Sequence, residues 1–254
     1  MIRLKSESEI QELKKGGKIL AGVLAKVKKA AKAGVTTVEL DKMAEDEILL
    51  SGGQPSFKGY GEVNNPFPAS LCTSVNEQLV HGVPGGYILK NGDILSLDLG
   101  MRFPKDHGLY TDMAVTIPVG KISQPAKNLI KVTKRALDVW LDNLKAGRDL
   151  FQIAKKVQDY VEVAGYSVVR DLVGHGVGHA VHEDPQIPNY FIPRAELILK
   201  EGMVLALEPM VSAGDYRIKT LNDNWTIVTL DKSLCAHFEH TVAITKRGCI
   251  VLTK

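Results

Sequence analysis

The feature that most constrains this chain is a set of acidic residues placed in or beside short apolar segments: Asp98, Asp112, Glu208 and Glu239. Burying an unpaired carboxylate is costly or shifts its pKa, so the fold must give each group a partner. Any one of them alone is more simply interpreted as a half-exposed residue or a ligand of a backbone amide. All of them together favour divalent cations with oxygen ligands. The sequence therefore predicts a fold in which the strands that carry these carboxylates converge on one point.

Two of the acidic residues stand in neighbouring segments, 94–99 and 110–117, which predict two strands joined as a hairpin. Side chains alternate between the two faces of a strand, so Asp98 is predicted on the face opposite to Leu97 and Leu99. The same alternation places Asp112 on one face with Ala114. Both aspartates are therefore predicted on the same side of the sheet.

The predicted elements follow each other in a repeated order. Ser6 with Glu9, and Thr36 with Glu39, have the spacing of helix capping boxes, and each pair opens a helical apolar pattern. Segment 55–68 is rich in Gly, Pro and Asn and is predicted to be loop. Further helices are predicted at 124–146 and 149–164, and further strands at 203–207, 226–230 and 239–245. The order predicts an α/β fold of two similar halves that share one core.

Composition narrows the function classes. The chain has 254 residues, 44% hydrophobic and 24% charged, which is ordinary for a globular protein, and without a linker we expect a single domain over 1–254. A net charge of +3 does not indicate nucleic-acid binding. Three cysteines without a CxxC pair fit a reducing compartment and argue against a structural zinc module. With no signal-peptide core and no run of about 18 apolar residues, we expect a cytoplasmic protein without membrane contact.

Histidines are concentrated in segment 174–185, where His175, His179 and His182 alternate with glycines and small residues. A single histidine there is more often a hydrogen-bonded loop residue than a ligand. The cluster favours a metal site, because one imidazole can bind an ion while another contacts the substrate. His81 precedes a Gly-Val-Pro turn, and for it alone a surface position is a reasonable alternative.

Taken in this order, the segments resemble the methionine aminopeptidases, and in particular their short bacterial type I form. The matching segments are 74–84, 97–98, 110–112, 174–185, 203–209, 223–226 and 238–241. No single motif is specific, but the combination is, and it spans nearly the whole chain. The resemblance implies a pita-bread α/β fold, in which two pseudo-symmetric halves of antiparallel strands backed by helices surround a central dimetal site.

The resemblance also implies a ligand set for two divalent ions, which could be cobalt, iron, manganese or zinc: Asp98, Asp112, His175, Glu208 and Glu239. Asp112 and Glu239 would bridge the ions, Asp98 would bind one, and His175 and Glu208 would bind the other. A hydroxide shared by the two ions would attack the first peptide bond of a nascent protein. The implied reaction is removal of the N-terminal methionine.

Three residues are implied to be catalytic. Glu208 would shuttle a proton as well as bind metal. His182 would stabilise the oxyanion, and His81 would bond the peptide nitrogen, so both would contact substrate without binding metal. The implied methionine pocket is apolar and consists of Cys72, Phe67, Tyr60 and Trp225.

The sequence departs from the family pattern in two places. Asp98 and Asp112 stand further apart than in the family, which an insertion at 103–107 explains. Asp106 is the rival second ligand, but it lies in a loop signal, so Asp112 is preferred. Segment 61–66 resembles another insertion, at the edge of the methionine pocket. His179 is given no catalytic role.

The rival interpretations are an X-Pro aminopeptidase or dipeptidase of the same fold and, less favoured, a non-catalytic binding protein on it. X-Pro enzymes usually carry Arg-x-Glu-Asp near the last ligand, where this chain has Phe238-Glu239-His240-Thr241. The non-catalytic relatives generally lose ligands that are intact here. The interval from Glu208 to Glu239 is too short for the type II enzymes. We expect a monomer that acts on peptides with N-terminal methionine, with ribosome contact suggested by that substrate class.

Overall fold

The computed structural model describes residues 2–254, which form four helices and seventeen strands. The helices are α1 (Glu7–Ala30), α2 (Thr37–Leu50), α3 (Gln124–Asn143) and α4 (Leu150–Val163). The strands are β1 (Gln54–Pro55), β2 (Gly61–Glu62), β3 (Asn65–Pro66), β4 (Leu71–Val75), β5 (Gln78–Val80), β6 (Ile94–Phe103), β7 (Leu109–Pro118), β8 (Ser167–Val168), β9 (Gly174–Gly176), β10 (Glu183–Ile187), β11 (Val204–Leu207), β12 (Met210–Ser212), β13 (Ile218–Thr220), β14 (Ile227–Thr229), β15 (Cys235–His237), β16 (His240–Ile244) and β17 (Cys249–Val251). Across residues 2–254, every helix is too short or too polar to traverse a bilayer.

The ends of the helices follow their capping chemistry. Both predicted capping boxes are confirmed: Ser6 and Thr36 accept from the backbone of Glu9 and Glu39, whose side chains accept from the cap backbone in return. The predicted end of α3 at 146 is wrong. The helix ends at Asn143 because the next residue, Leu144, turns to extended geometry and is buried in the core.

The N-terminal half is built on a long hairpin. Strands β6 and β7 pair antiparallel over their full length, and β6 also pairs with β1 and β4. Helices α1 and α2 pack on the leucine face of β6, which joins Leu95, Leu97 and Leu99 to the helix residues Leu20 and Leu24 in one cluster. The predicted hairpin is confirmed and is longer than the sequence indicated. The opposite face of β6 is left for the polar residues.

The C-terminal half has shorter strands. Its main sheet runs β10-β9-β11-β16-β17, and a smaller one runs β15-β12-β8. Helices α3 and α4 cover them, with Trp140, Leu205 and Val242 in one buried cluster. Another three-stranded sheet, β13-β14-β5, connects the two halves. The three predicted strands of this half are confirmed with slightly shorter bounds, as β11, β14 and β16.

The two halves are joined where β7 meets the segment between β15 and β16. The Glu239 N–H donates to the Ala114 carbonyl at 2.9 Å, and the Ala114 N–H donates back at 3.4 Å. Beside this pair, the Thr241 hydroxyl accepts from the Asp112 N–H and donates to the Asp112 carbonyl, at 2.9 and 2.7 Å. The joint therefore places Asp112, on β7, close to Glu239, in the segment between β15 and β16.

Segment 55–68 contains more structure than the predicted loop. Strands β2 and β3 form a small hairpin within it, which spans the segment interpreted as an insertion. Gly61 has φ +104°, and a Cβ there would lie 2.6 Å from the Trp225 ring. The hairpin thus lies close against Trp225, and only glycine allows that approach.

Candidate metal centre and active site

Three potential metal ligands from separate segments of the chain meet at the joint of the two halves. Ligand atoms of Asp112, His175 and Glu239 all lie within 4.8 Å of one another. Asp98 and Glu208 line the same small cavity. All five residues that the resemblance implied as ligands are thus brought around one space.

The register of the sheet explains why the carboxylates fit side by side. Asp98 lies opposite Ala114, and Asp112 lies opposite Gly100, so both aspartates share one face as predicted. Directly opposite residues in an antiparallel pair have close Cβ atoms, and only small partners leave room for ionisable groups. Ala114 in turn bonds to Glu239. Small residues therefore make the space in which the carboxylates converge.

These carboxylates are buried, with exposed fractions of 8% for Asp98, 4% for Asp112 and 2% for Glu239. Within residues 2–254, one oxygen of each has no hydrogen-bond partner. Burial, reinforced by the neighbouring carboxylates, raises the pKa of Asp98 and of Glu239 well above the usual value. Burial and Glu208 raise the pKa of Asp112 to about 7. A divalent cation would relieve both the missing partners and the mutual repulsion, so the residues present fit a metal site.

His175 is oriented to offer a lone pair to this space. Its Nδ1 lies 2.9 Å from the Gly176 carbonyl, so Nδ1 carries the proton and Nε2 is free to bind an ion. Burial lowers the pKa of His175 to about 3, which keeps the imidazole neutral. The glycines on either side are required, because a Cβ at Gly174 would lie 2.5 Å from the Ala206 carbonyl oxygen. His175 is therefore held by close packing of β9 against β11.

Glu208 lies at the end of β11, just before Pro209. Its Oε1 is 3.5 Å from Nε2 of His175. The Asn189 side chain donates to the Glu208 carbonyl at 3.0 Å, and Trp140 Nε1 donates to Asn189 in turn. Burial raises the pKa of Glu208 to about 8. Without a cation, this carboxyl is therefore able to hold a proton near neutral pH.

The remaining predicted histidines border the carboxylates on the solvent side. The His182 ring lies 4.3 Å from the His175 ring, centroid to centroid, and its Nδ1 is 2.6 Å from the Tyr60 hydroxyl. His81 has a left-handed backbone, φ +56°, which is unusual for a residue other than glycine. Burial, followed by the nearby His237 and His182, lowers the pKa of His81 to about 4. Burial also lowers the pKa of His182.

An apolar pocket adjoins the carboxylates. The cavity of about 80 Å³ is lined on that side by Phe67, Cys72 and Trp225, all predicted, and by Phe57, which no sequence pattern indicated. The rings of Phe67 and Trp225 meet edge to face with centroids 5.2 Å apart. Burial and the adjacent carboxylates raise the pKa of the Cys72 thiol well above its usual value, so it stays a small, neutral wall residue.

A larger cleft of about 600 Å³ opens on the other side of the histidines. It shares His81, His175, His182 and Glu208 with the small cavity and continues along the segment that begins at Asp171. The reactive groups thus lie between a narrow apolar pocket and a wide open groove. That arrangement suits a polymer whose terminal residue enters the pocket while the chain leaves through the groove.

Some residues fall outside this site or were missed. The rival ligand Asp106 is exposed in the turn between β6 and β7 and does not line the cavity. His179 Nε2 lies 3.0 Å from Glu9 Oε1 of α1. His237, which the sequence analysis did not single out, is buried beside Glu208. The available signal was its position two residues before Glu239.

Comparison with known proteins agrees with this geometry. The chain matches metallopeptidase family M24 over residues 11–246. It is 49% identical to the methionine aminopeptidase of Clostridium perfringens over 254 residues, covering 100% of this chain and 99% of the relative. It is 50% identical to methionine aminopeptidase 1 of Bacillus subtilis, covering 100% of both chains.

Solved structures give the same result. The methionine aminopeptidase of Thermotoga maritima superposes with a TM-score of 0.94 at 44% identity, covering 100% of both chains. The Xaa-Pro dipeptidase of Bacillus anthracis has a TM-score of 0.77 at 22% identity, with 99% of this chain covering 62% of that one, so it shares the fold alone.

The predicted pita-bread fold is confirmed. The M24 match and the cluster of Asp112, His175 and Glu239 also support a divalent metal cofactor. The chain belongs to the methionine aminopeptidases of metallopeptidase family M24.

Proposed function

We propose that the chain hydrolyses the first peptide bond of polypeptides that begin with methionine, with two divalent ions as cofactors. The ions would be held by Asp98, Asp112, His175, Glu208 and Glu239. The main support is the convergence of buried carboxylates and one imidazole beside an apolar pocket. Such a donor set binds divalent cations, and a pair of ions accounts for more of the buried charge than a single one.

Bound divalent ions lower the pKa of water and polarise a carbonyl group, which are the two requirements of peptide hydrolysis. Around them, Glu208 is the group that would accept a proton and pass it to the leaving amine, because its carboxyl lines the cavity between His175 and His237. His81 borders the same cavity and is placed to bond the peptide nitrogen. The protein thus supplies the proton transfers.

His182 is suited to stabilise the oxyanion. When the Tyr60 hydroxyl donates to Nδ1 across 2.6 Å, the ring proton resides on Nε2. That N–H then faces away from Tyr60 and is able to donate to charge that develops on the substrate carbonyl. Since burial lowers the pKa of His182, the ring does this as a neutral donor and does not compete with the cations.

The small cavity accounts for the choice of methionine. A flexible thioether fits an apolar space bounded by aromatic rings, and sulfur makes favourable contacts with such rings. Phe57, Phe67, Trp225 and the Cys72 thiol supply this surface, and Tyr60 closes it beside His182. The rest of the polypeptide would follow the open cleft. Its terminal amine would lie beside the carboxylates, which restricts cleavage to the first bond.

We further propose that the chain forms a single catalytic domain over 1–254 and acts as a monomer in the cytoplasm on nascent chains, where contact with the ribosome would be expected. Which ion is used would depend on availability, because iron, manganese, cobalt and zinc all accept carboxylate and imidazole ligands. The X-Pro alternative is not favoured, since the X-Pro dipeptidase named above matches at 22% identity and shares only the fold.

The test is metal-dependent hydrolysis of two peptides, Met-Ala-Ser and Ala-Pro-Ser, by purified protein that has been stripped with a chelator. Addition of each divalent ion in turn should restore release of methionine from the first peptide, with saturation at two ions per chain. The second peptide should remain intact. Cleavage of the proline peptide in preference would support the X-Pro alternative. Ion binding without cleavage of either peptide would support the non-catalytic one.

A further inference from the structure

His237 is a buried histidine that the proposed mechanism leaves without a role. It is the last residue of β15 and stands two residues before Glu239, which lies between β15 and β16. Its backbone is fixed, because the His237 N–H donates to Thr116 Oγ1 at 2.8 Å and the Thr116 hydroxyl donates to the His237 carbonyl at 2.8 Å. Ser96 Oγ, 2.7 Å away, then donates to the same hydroxyl. Both halves of the fold therefore hold this residue in place.

The ring of His237 points at Glu208. Its side chain is 2% exposed, and Nε2 lies 3.5 Å from Glu208 Oε2. In the described part of the chain, residues 2–254, neither ring nitrogen has a hydrogen-bond partner. A buried polar group without a partner costs free energy, so such groups are rare unless they serve a site. Glu208 is the polar side chain on which this ring is aimed.

Glu208 lies between two imidazoles, one at each oxygen. Oε1 is 3.5 Å from His175 Nε2, and Oε2 is 3.5 Å from His237 Nε2. The two rings differ in what Nδ1 does. In His175, Nδ1 bonds the Gly176 carbonyl, so Nε2 carries a lone pair. In His237, no such contact claims the proton among residues 2–254, so Nε2 is free to carry it.

We propose that His237 is a positioning residue for Glu208: its neutral imidazole donates from Nε2 to Oε2 of Glu208 and leaves Oε1, on the His175 side, for the cation. Carboxylates that bind metals are commonly held by such an outer hydrogen bond, which fixes their orientation. The assignment rests on the proposed function, in which Glu208 both binds an ion and transfers a proton. It deepens that function by naming the group that determines which oxygen of Glu208 accepts a hydrogen bond and which one is left for the cation.

The surroundings favour a neutral donor at this position. The His237 side chain is 2% exposed and its ring nitrogens have no hydrogen-bond partner within residues 2–254, an environment that disfavours a charged imidazole. A lysine or arginine here would also donate to Glu208, but it would repel the ions. A neutral imidazole meets both requirements.

The test compares three substitutions that differ in where they place a donor. His237→Gln puts an amide N–H near the position of Nε2, His237→Asn puts one near the position of Nδ1, and His237→Leu removes the donor. We expect Leu and Asn to lower kcat on Met-Ala-Ser at least tenfold with KM changed less than threefold. We expect Gln to stay within about threefold of the natural protein. Isothermal titration should show affinity for the more weakly bound ion reduced about tenfold or more in Leu and Asn.

Two further measurements separate positioning from support of the fold. In the ion-loaded protein, His237→Leu removes the donor to Glu208 but keeps an apolar side chain at this buried position, so Tm should change little while kcat falls at least tenfold. Added to Glu208→Gln, His237→Leu should cause little further loss, because both act through one contact. His240→Gln is the matched control: its ring bonds Thr253 on the outer side, at 2.9 Å, so kcat should hold within about twofold.

The inference is overturned if His237→Leu keeps the natural kcat and ion affinity, or if its loss of activity merely follows a loss of Tm. Equal activity of the Asn and Gln variants would overturn it as well, since the position of the donor would then be irrelevant. Failure of the proposed function has a different signature. In that case the natural protein itself would not release methionine, or Glu208→Gln would be as active as the natural protein.

Discussion

The site has two sides that are both buried but whose ionisable groups have pKa values shifted in opposite directions. The carboxylate side consists of Asp98, Asp112, Glu208 and Glu239, and burial raises the pKa of each. The imidazole side consists of His81, His175, His182 and His237, and burial lowers the pKa of each. Neutral imidazoles are acceptable at pH 7 without a partner ion, whereas carboxylates must be ionised to bind one. The carboxylate side therefore depends on the cation, and the imidazole side does not.

The two sides also differ in how the fold carries them. Asp98 and Asp112 stand on the long paired strands β6 and β7, and Glu239 bonds directly to β7. The imidazole side is carried by shorter elements, with His182 in a loop and His81 in a left-handed turn. Regular sheet fixes the charges that must not move, while loops present the groups that contact substrate. This difference predicts separate effects for mutations on the two sides.

The largest effect is expected for Glu239→Ala. Removal of this carboxylate takes away a ligand that lies within 4.8 Å of those on Asp112 and His175. At least one ion should be lost, and kcat/KM on Met-Ala-Ser should fall at least about a thousandfold, since metal activation is worth several kcal/mol. Metal content of the purified variant and peptide release are the measurements.

Asp106→Ala provides the matched control for that variant, because Asp106 is an acidic residue of the same half but is exposed in the β6–β7 turn. Its metal content and activity should equal those of the natural protein. If Glu239→Ala retained both ions, or if Asp106→Ala lost one, the carboxylate side would have been assigned to the wrong residues.

A somewhat smaller effect is expected for His182→Ala, on the imidazole side. Loss of one oxyanion donor typically lowers kcat by about a hundred- to a thousandfold. Metal content should be unchanged, since the His175 ring, and not the His182 ring, lies among the clustered ligand atoms. Atomic absorption and steady-state kinetics would be run on the same preparation. Loss of metal together with activity would show that the two sides are not separable.

The loop that carries His182 depends on a buried ion pair. Lys5 Nζ lies 2.5 Å from Glu183 Oε2, with the lysine side chain 1% exposed. Glu183 Oε1 also accepts from the backbone N–H of His179 and of Ala180. Lys5→Met leaves Glu183 without its cation, and breaking such a pair costs about 3 kcal/mol of unfolding free energy. We expect kcat to fall as well, because the loop leading to His182 loosens.

Lys26→Met is the control for that substitution. Lys26 also pairs with a glutamate, Glu47, at 2.6 Å, but the lysine side chain is 62% exposed. Exposed pairs contribute about 0–1 kcal/mol, so urea unfolding should hardly change. Equal losses in the two variants would mean that burial of Lys5 has no energetic consequence.

The same comparison shows what the sequence is able to predict. The carboxylate side was predictable because strand alternation and apolar flanks are local, so the faces of Asp98 and Asp112 followed from their immediate neighbours. Both capping boxes were predictable for the same reason. The meeting of Asp112 with Glu239 was not local, since it depends on threonine hydroxyls that bond across the joint. There the family resemblance, and not the pattern, supplied the prediction.

The imidazole side was less predictable. His237 sits between apolar residues in a strand, where a histidine is ordinarily a satisfied core residue, and only its distance to Glu208 distinguishes it. The Lys5–Glu183 pair joins residues from opposite parts of the chain, and no spacing rule connects them. Tyr60 reaches His182 only because the β2–β3 hairpin folds over Trp225. Contacts set by tertiary structure leave little trace in a single sequence.

A pH series on metal-free protein isolates the carboxylate side. The folded pKa of Asp112 is about 7 and that of Glu208 about 8, both above their unfolded values near 4, so the folded state holds more protons. Stability should therefore fall as pH rises from the unfolded pKa values towards 8, by about 1.4 kcal/mol per pH unit for each extra proton that the folded state holds, and the loss from these two groups should end near pH 8. The buried histidines have lowered pKa values, so they change the stability with pH only below their unfolded pKa of about 6.5. Between pH 6.5 and 8 the carboxylates should dominate.

Thermal unfolding with a chelator, followed by the same series with excess divalent ion, measures this effect. The chelated protein should lose Tm from pH 6.5 to 8, and the ion should raise Tm most at the upper end. The ion neutralises the carboxylates, so the downward slope should disappear when it is bound. A chelated Tm that stays level or rises over this range would contradict the raised pKa values.

The smallest effect is expected for Tyr60→Phe, which removes the hydroxyl 2.6 Å from His182 Nδ1 and keeps the ring. One hydrogen bond contributes about 1 kcal/mol, so kcat should fall about three- to tenfold while metal content stays unchanged. Tyr87→Phe is the control, because it removes a comparable hydroxyl, bonded to Asp93 at 3.0 Å, away from the site. If Tyr60→Phe kept the natural kcat, the tautomer of His182 would be set by something other than Tyr60. If both variants lost kcat equally, the loss would reflect general loosening and not the orientation of one imidazole.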